Sequence, residues 1–595
     1  MTIRSILTAG TAVAVILLVC GCSGGGQNPV TPDGGFRFGD DFRPPWNIFG
    51  LNQEDDPGNP NYQHRLSQEV DLAPLVWGHL FAGDGIAGDL VTDDPEDHHG
   101  EGNSFVAAVS RVDNMLAGQV LGSVIELKFF AMRQHPLSGE TVPVMYDLQG
   151  GEFWGSDPAV GYRFNRIPGY LVSVPTPAEQ FCQSPRVIAR ADSWNYGNLL
   201  IDVCVAYEVR NDPVTISVYN GRFLIDFTPS EPGLGISIVP SVPQGHTEVA
   251  SGEGYDYLFP DLEFGPTSGW THLVYTAYQQ GSPMGSDARI HYRARETVFG
   301  DFSGYVWINE FDRAPNEWEE DPGGRGGWIP RIDVGTVTDP HHFATEGDVM
   351  TVAVVYTRQQ VNPLHTWYGY RSYVRYWRED LGPIPVVPPG TPPEDWVDSH
   401  QMPVINGEWE GATAGAYHGS GLPVIDIAPE TNTDHDAYVA FVQQVSVLPN
   451  PIRHSVYMVG YAIQGSEPVT EFYRISQEDD TAVLPAICVH YGIRQLSITY
   501  YYQASVGAGP WTVIANRIEY FGGSVVHQDT EIDAEAHGNF NIAELQNFNF
   551  GVASGLAATV TEGEPSFFAA WSDSVGIVCE PCHVQATFGH TYVPE

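Results

Sequence analysis

Three acidic segments carry the residue types that most readily do chemistry. The first holds Asp93, Asp94, Glu96, Asp97, His98, His99 and Glu101. The second holds Asp339, His341, His342, Glu346 and Asp348, and the third Asp434, His435 and Asp436. The first two share an Asp-Pro, a His-His pair and a Glu-Gly. Convergent carboxylates suit a hard cation such as calcium, and imidazoles shift the preference towards zinc or another transition metal. The expected cofactor is therefore calcium or another divalent cation. Its expected ligands are drawn from Asp97, His98, His99, Glu101, Asp339, His341, His342, Glu346, Asp348, Asp434 and Asp436. The alternative is that all three are solvated turns of an acidic chain. Carboxylates can also act in pairs on a glycosidic bond, one as acid and one as base or nucleophile. With 73 acidic residues the sequence nominates no pair. Beyond residue 25 it contains no Gly-x-Ser-x-Gly elbow, and it has no His-Glu-x-x-His motif.

Charge narrows the partners. Lys and Arg total 27 against 73 Asp and Glu, for a net charge of −46, and Lys128 is the only lysine. A nucleic-acid partner needs a basic footprint that this chain lacks. A polybasic hold on anionic lipid is excluded on the same ground. Acidic surfaces poor in lysine suit high salt, where screening removes self-repulsion, and equally suit collection of divalent cations.

The amino terminus reads as an address. Arg4 precedes an apolar run from Ile6 to Val19 that is short for a membrane span, which takes roughly 20 residues. Val19-Cys20-Gly21-Cys22-Ser23 follows and resembles the lipobox of bacterial lipoproteins. Cys22 fits the lipidated position better than Cys20, because the small Gly21 directly precedes it. The resemblance implies a signal peptide over residues 1–21, diacylglycerol on Cys22 and attachment to the cell envelope through that lipid. Ser23 is not the Asp that often retains such lipoproteins at an inner membrane, which points to the outer membrane or cell surface. Residues 22–41, rich in Gly, Pro and polar residues, read as a flexible tether.

In an exported chain, cysteines can pair. Cys182 and Cys204 flank a strand–turn–strand unit and are expected to staple it, while Cys488 lies inside an apolar strand and reads as a buried thiol. Cys579-Glu580-Pro581-Cys582-His583 matches the c-type haem attachment pattern. Its place in a terminal hairpin, with no identifiable second axial ligand, favours a Cys579–Cys582 disulfide and no haem.

The elements that must position these residues are strands. Short runs rich in Val, Ile, Tyr and Phe alternate with Gly, Pro, Asn and Asp, and no segment after residue 22 sustains a helical period. One apolar pattern recurs seven times: FVAAVSR from Phe105, VCVAYEV from Val203, VYTAYQQ from Val274, VAVVYTR from Val352, YVAFVQQ from Tyr438, ITYYYQA from Ile498 and FFAAWSD from Phe567. An aromatic strand often follows, as in ARIHYRARE from Ala288 and YVRYWRE from Tyr373. Several copies are preceded by a Pro-led strand: PRVIARA from Pro185, PVIDIA from Pro423 and PAICVHY from Pro485. Repeats of this kind predict an all-β, seven-bladed β-propeller of four-stranded antiparallel blades over residues 42–595. The Pro-led, apolar and aromatic strands are then expected as three strands of a blade, with the innermost strand left to the connecting segments.

The apolar and aromatic strand pair resembles the sialidase-like propeller superfamily with BNR-type repeats. The resemblance spans most of the chain. The hallmark Asp box, Ser-x-Asp-x-Gly-x-x-Trp, is not recognisable; Gly507-Ala508-Gly509-Pro510-Trp511 lacks its Ser and Asp. Arg166-Ile167-Pro168 matches the Arg-Ile-Pro of sialidases. These features imply a surface module that binds a protein or glycan ligand. The alternatives are a glycan-active enzyme, either a sialidase-like hydrolase or a polysaccharide lyase, and, if haem were held, an electron-transfer lipoprotein.

Overall fold

The computed structural model describes the strands between residues 46 and 590 and some of the turns joining them. Residues 1–45, 77–104, 309–326, 338–348, 404–419, 428–436, 537–555, 575–581 and 591–595 are among those outside the description. Every described element is a strand. Among the described residues five sheets have four strands each, and a sixth has eleven. The larger sheet is two meanders joined by a short parallel pairing, Leu75 with Ala189 and Val76 with Arg190.

Seven innermost strands follow from this pairing: Gln63–Val76, Cys182–Asn195, Tyr255–Phe264, Gly327–Val337, Ser420–Ile427, Thr481–His490 and Leu556–Val560. Each touches the next in chain order, and the last returns to the first. The sheets are therefore the blades of a propeller around a central channel. Trp46–Phe49 supplies the outermost strand of the last blade by pairing with Cys582–His590. A ring closed by strands from both ends of the chain leaves no open gap between first and last blades.

The seven apolar runs are the second strands of the seven blades. Each pairs on both edges and packs on both faces, so the alternation expected of a half-buried strand is lost. In Thr271–Gln279 the first seven residues are all buried. The Pro-led strands correct the sequence expectation. They are innermost, and the strand left unassigned is the outermost one.

A repeated irregularity shapes the channel wall. Six inner strands skip two residues in register, and in five of them those residues are a left-handed residue followed by Pro. Ser184, Phe259, Ile329, Leu422 and Leu484 have φ of 52, 53, 48, 54 and 54°. Pro has no N–H to withdraw from the ladder, so it suits a bulge. The turned-out N–H of the residue before it needs another acceptor, and at Ser184, Phe259 and Leu422 the preceding blade provides one. Phe259 N–H donates to Glu208 at 2.7 Å, Leu422 N–H to Thr357 Oγ1 at 3.0 Å, and Ser184 N–H to Glu69. Glu208 and Thr357 occupy the sixth position of their apolar runs. The same position is Ser110, Gln279, Gln443, Gln503 and Ser572 in the other five. At Glu208 and Thr357 the polar sixth residue is a fastener between blades.

Replacing Glu208 by Ala is expected to destabilise the fold by about 2–3 kcal/mol, the cost of a buried N–H left without an acceptor. Glu208→Gln keeps an acceptor oxygen and should stay within about 1 kcal/mol of wild type. Urea unfolding of the three proteins checks this, and equal losses for both variants would exclude the fastener role.

The expected Cys182–Cys204 staple does not form. Both are buried thiols, with Cys182 opposite Val209 and Cys204 opposite Ile188. Five residues along one strand separate those positions, at roughly 3.3 Å per residue, beyond the span of a disulfide. Cys204 lies instead beside the Arg295 guanidinium at 3.3 Å. Cys488 is a buried thiol, as its apolar strand implies.

Candidate functional site

The bulges impose one motif on five inner strands. It reads Pro185-Arg186-Val187-Ile188, Pro260-Asp261-Leu262-Glu263, Pro330-Arg331-Ile332-Asp333, Pro423-Val424-Ile425-Asp426 and Pro485-Ala486-Ile487-Cys488. Side chains alternate across a strand, so the residues one and three places after the proline share a face. Val187, Leu262, Ile332 and Ile425, one place off that face, are buried. Asp261, Glu263, Asp333, Val424 and Asp426 are only half-buried and line the channel. Arg331 borders a hollow whose wall includes Ile329, Leu422, Pro423, Leu484 and Pro485.

The residues just after the prolines form a first tier of alternating charge. Arg186 Nη1 lies 3.0 Å from Asp71 Oδ1, and its Nε lies 3.7 Å from Asp261 Oδ1. Burial, reinforced by the charge of Arg186, brings the Arg331 guanidinium down to about 9, against the pull of Asp261 and Asp71. Burial likewise raises the Asp261 carboxyl, although Arg331 and Arg186 oppose it.

The second tier is acidic. Glu263, Asp333 and Asp426 stand at the same position of three successive inner strands, and Cys488 takes that position on the next. Burial pushes Asp333 up to about 6, while the N–H groups of Ile427 and Val334 hold it back. Glu263 and Asp426 are raised well above the ordinary carboxylate range, by burial first and by the negative charge of Asp333 second. Like charges oppose one another's ionisation, so the tier binds protons more tightly than ordinary carboxylates do. Burial and the neighbouring Asp426 keep the Cys488 thiol protonated as well.

Most of these carboxylates also tie blades together. Val187 N–H donates to Asp71 at 2.8 Å, Ile332 N–H to Asp261 at 2.9 Å, Val489 N–H to Asp426 at 2.7 Å, and Ile427 N–H to Asp333. Glu263 differs, because its Oε1 accepts only the N–H of the adjacent Phe264 at 2.9 Å.

Asp97, His98, His99, Glu101, Asp339, His341, His342, Glu346, Asp348, Asp434, Asp436, Arg166, Cys22 and Cys579 lie outside the described residues. Cys582 opens the third strand of the last blade opposite Ser574. Among the described residues no three His, Cys, Asp or Glu side chains are grouped so as to hold a metal ion. The acidic tier was missed by reading loops for chemistry. Its signal was a proline followed three residues later by Glu or Asp inside an apolar strand, at Glu263, Asp333 and Asp426.

No family profile and no curated protein matches the chain. Solved structures overlap it at low similarity. An α-L-arabinanase of Penicillium chrysogenum is 10% identical with a TM-score of 0.29, covering 92% of this chain and 98% of its own. The hemagglutinin-neuraminidase ectodomain of parainfluenza virus 5 is 9% identical with a TM-score of 0.32, covering 71% and 84%. A Trypanosoma rangeli sialidase is 8% identical with a TM-score of 0.30, covering 90% and 72%. The propeller assignment rests on the strand pairing described above.

Proposed function

We propose that this is an exported propeller, lipid-anchored at the cell envelope through Cys22, whose channel binds and hydrolyses a glycan. One observation carries the catalytic part: Glu263, Asp333 and Asp426 share a tier on successive inner strands, and the charge of Asp333 raises the proton affinity of the other two. Glycoside cleavage needs one carboxyl that keeps its proton beside one that does not. Glu263, with one oxygen uncommitted to the backbone, is the proton donor. Its proton passes to the glycosidic oxygen as the C–O bond breaks, and the bonding pair stays on that oxygen. Asp333, raised to about 6, takes the proton of the water that adds to the anomeric carbon. The His-bearing acidic segments around Asp97, Asp339 and Asp434 bind a divalent cation that stabilises the ring.

The test is reducing-sugar release from a panel of polysaccharides and aryl glycosides. Glu263→Gln should lower kcat by about 100-fold or more with KM within about threefold, the pattern of a lost general acid. A second reading, a binding module without catalysis, is favoured by the backbone N–H groups that Asp71, Asp261, Asp333 and Asp426 already hold. It predicts glycan retention by wild type and Glu263→Gln alike, and no sugar release by either.

A further inference from the structure

The third blade carries a cationic and aromatic face that the channel does not use. Arg289, His291, Arg293 and Arg295 alternate along Ala288–Arg295 and so share one side of the strand. Arg295 shows which way that side looks: it donates to Asn220 Oδ1 of the second blade at 2.6 Å. The face therefore lies along the seam between the second and third blades. Away from Arg295 it becomes aromatic. His291 and Tyr305 stack with centroids 4.0 Å apart and planes 3° off parallel. Tyr257 approaches Tyr275 at 5.8 Å and His291 at 6.5 Å. The Arg293 guanidinium lies 5.7 Å from the Tyr305 ring and 5.9 Å from the Tyr275 ring, and its Nε donates to Tyr275 Oη at 2.9 Å.

Arg293 is unusual in a chain with 73 acidic and 27 basic residues. Among the described residues no carboxylate is paired with it, whereas Arg111, Arg186, Arg190 and Arg222 all have one. Arg293, Tyr257 and Tyr305 are half-buried, so the cluster meets solvent. Two ring nitrogens of this face, His291 Nδ1 and Trp307 Nε1, are buried without a hydrogen-bond partner among the described residues. With Nε held by Tyr275, the two terminal nitrogens of Arg293 remain as a fork that matches a carboxylate. Tyrosine rings offer flat apolar faces to a pyranose, and their hydroxyls can exchange hydrogen bonds with sugar hydroxyls.

The geometry points to a binding site for a carboxylated oligosaccharide, a uronate-bearing chain, on this seam, with Arg293 reading the carboxylate and Tyr257 and Tyr305 contacting the ring. The site is independent of the channel chemistry, because none of its residues lies in the carboxylate tiers. The test is isothermal titration of the full chain in detergent, at fixed ionic strength, with a tetragalacturonate and its fully methyl-esterified counterpart. The acid should bind at least tenfold more tightly than the ester. Arg293→Gln should remove that preference, and Arg293→Lys, which keeps the charge without the fork, should weaken it. Tyr305→Ala should weaken acid and ester together. Melting curves confirm that each variant is folded. Equal binding of acid and ester, no binding of either, or an unchanged preference in folded Arg293→Gln would overturn the assignment. Competition by tetraglutamate as strong as by tetragalacturonate would reassign the face to acidic peptides.

Discussion

Lowering the pH from about 7.5 to about 5 is expected to raise the melting temperature of this protein, the reverse of ordinary acid destabilisation. Glu263, Asp333 and Asp426 bind protons more tightly in the folded ring than carboxylates do in an unfolded chain. Where the folded state binds more protons, stability falls as pH rises. For Asp333 the window runs from about 4, the unfolded value, to the folded value of about 6. Its stabilisation is complete below that window and lost above it. A two-unit difference is on the order of 2–3 kcal/mol for one such group. Glu263 and Asp426 act in the same direction and extend the loss to higher pH. Self-repulsion at a net charge of −46 has the same sign, so the decisive comparison is with a variant. Glu263→Gln combined with Asp333→Asn removes two titrating members of the tier and should flatten the profile. A melting temperature that falls steadily from pH 7.5 to 5, or an unchanged profile in the double variant, would contradict the proton-retaining tier.

Trp571→Ala is expected to cost about 3–5 kcal/mol, the range for removing a large aromatic from a packed core. Trp571 is the fifth residue of the last apolar run and is fully buried. It packs in the seam between the sixth and seventh blades, in one cluster with Leu484, Tyr501, Trp511, Val513, Leu556 and Ala569. That seam adjoins the blade in which Trp46–Phe49 closes the ring, so a cavity there loosens the one joint made by strands distant in sequence. Denaturant titration should show the lower midpoint. Limited proteolysis should cut the variant first in the last blade, and cleavage spread evenly over all blades would exclude a local seam effect.

The second strands were legible because burial on both faces writes a local signature. A strand flanked by two others must be apolar throughout, and seven such runs stand out from Phe105 to Asp573. The all-β class and the repeat follow from that signature together with the Gly and Pro content. The order of strands within a blade was not legible. Pro185, Pro423 and Pro485 suggested secondary strands, because Pro withdraws a ladder donor. The pairing instead places each at an innermost bulge, where the preceding residue turns left-handed and the adjoining blade supplies the missing partner. That compensation comes from residues such as Glu208 and Thr357, 51 and 65 positions away.

The site divides along the same line. By itself the sequence determined an acidic chain, nearly without lysine, in which one apolar strand pattern recurs seven times. These are properties of composition and of short windows. Only the tertiary structure decided which of the 73 acidic residues act together. Glu263, Asp333 and Asp426 are far apart in the chain and ordinary in type. They become a proton-sharing tier because three separate strands, each offset by the same bulge, present the same position to one channel. Coulomb repulsion depends on distance through space, and a propeller sets that distance only when its ring closes.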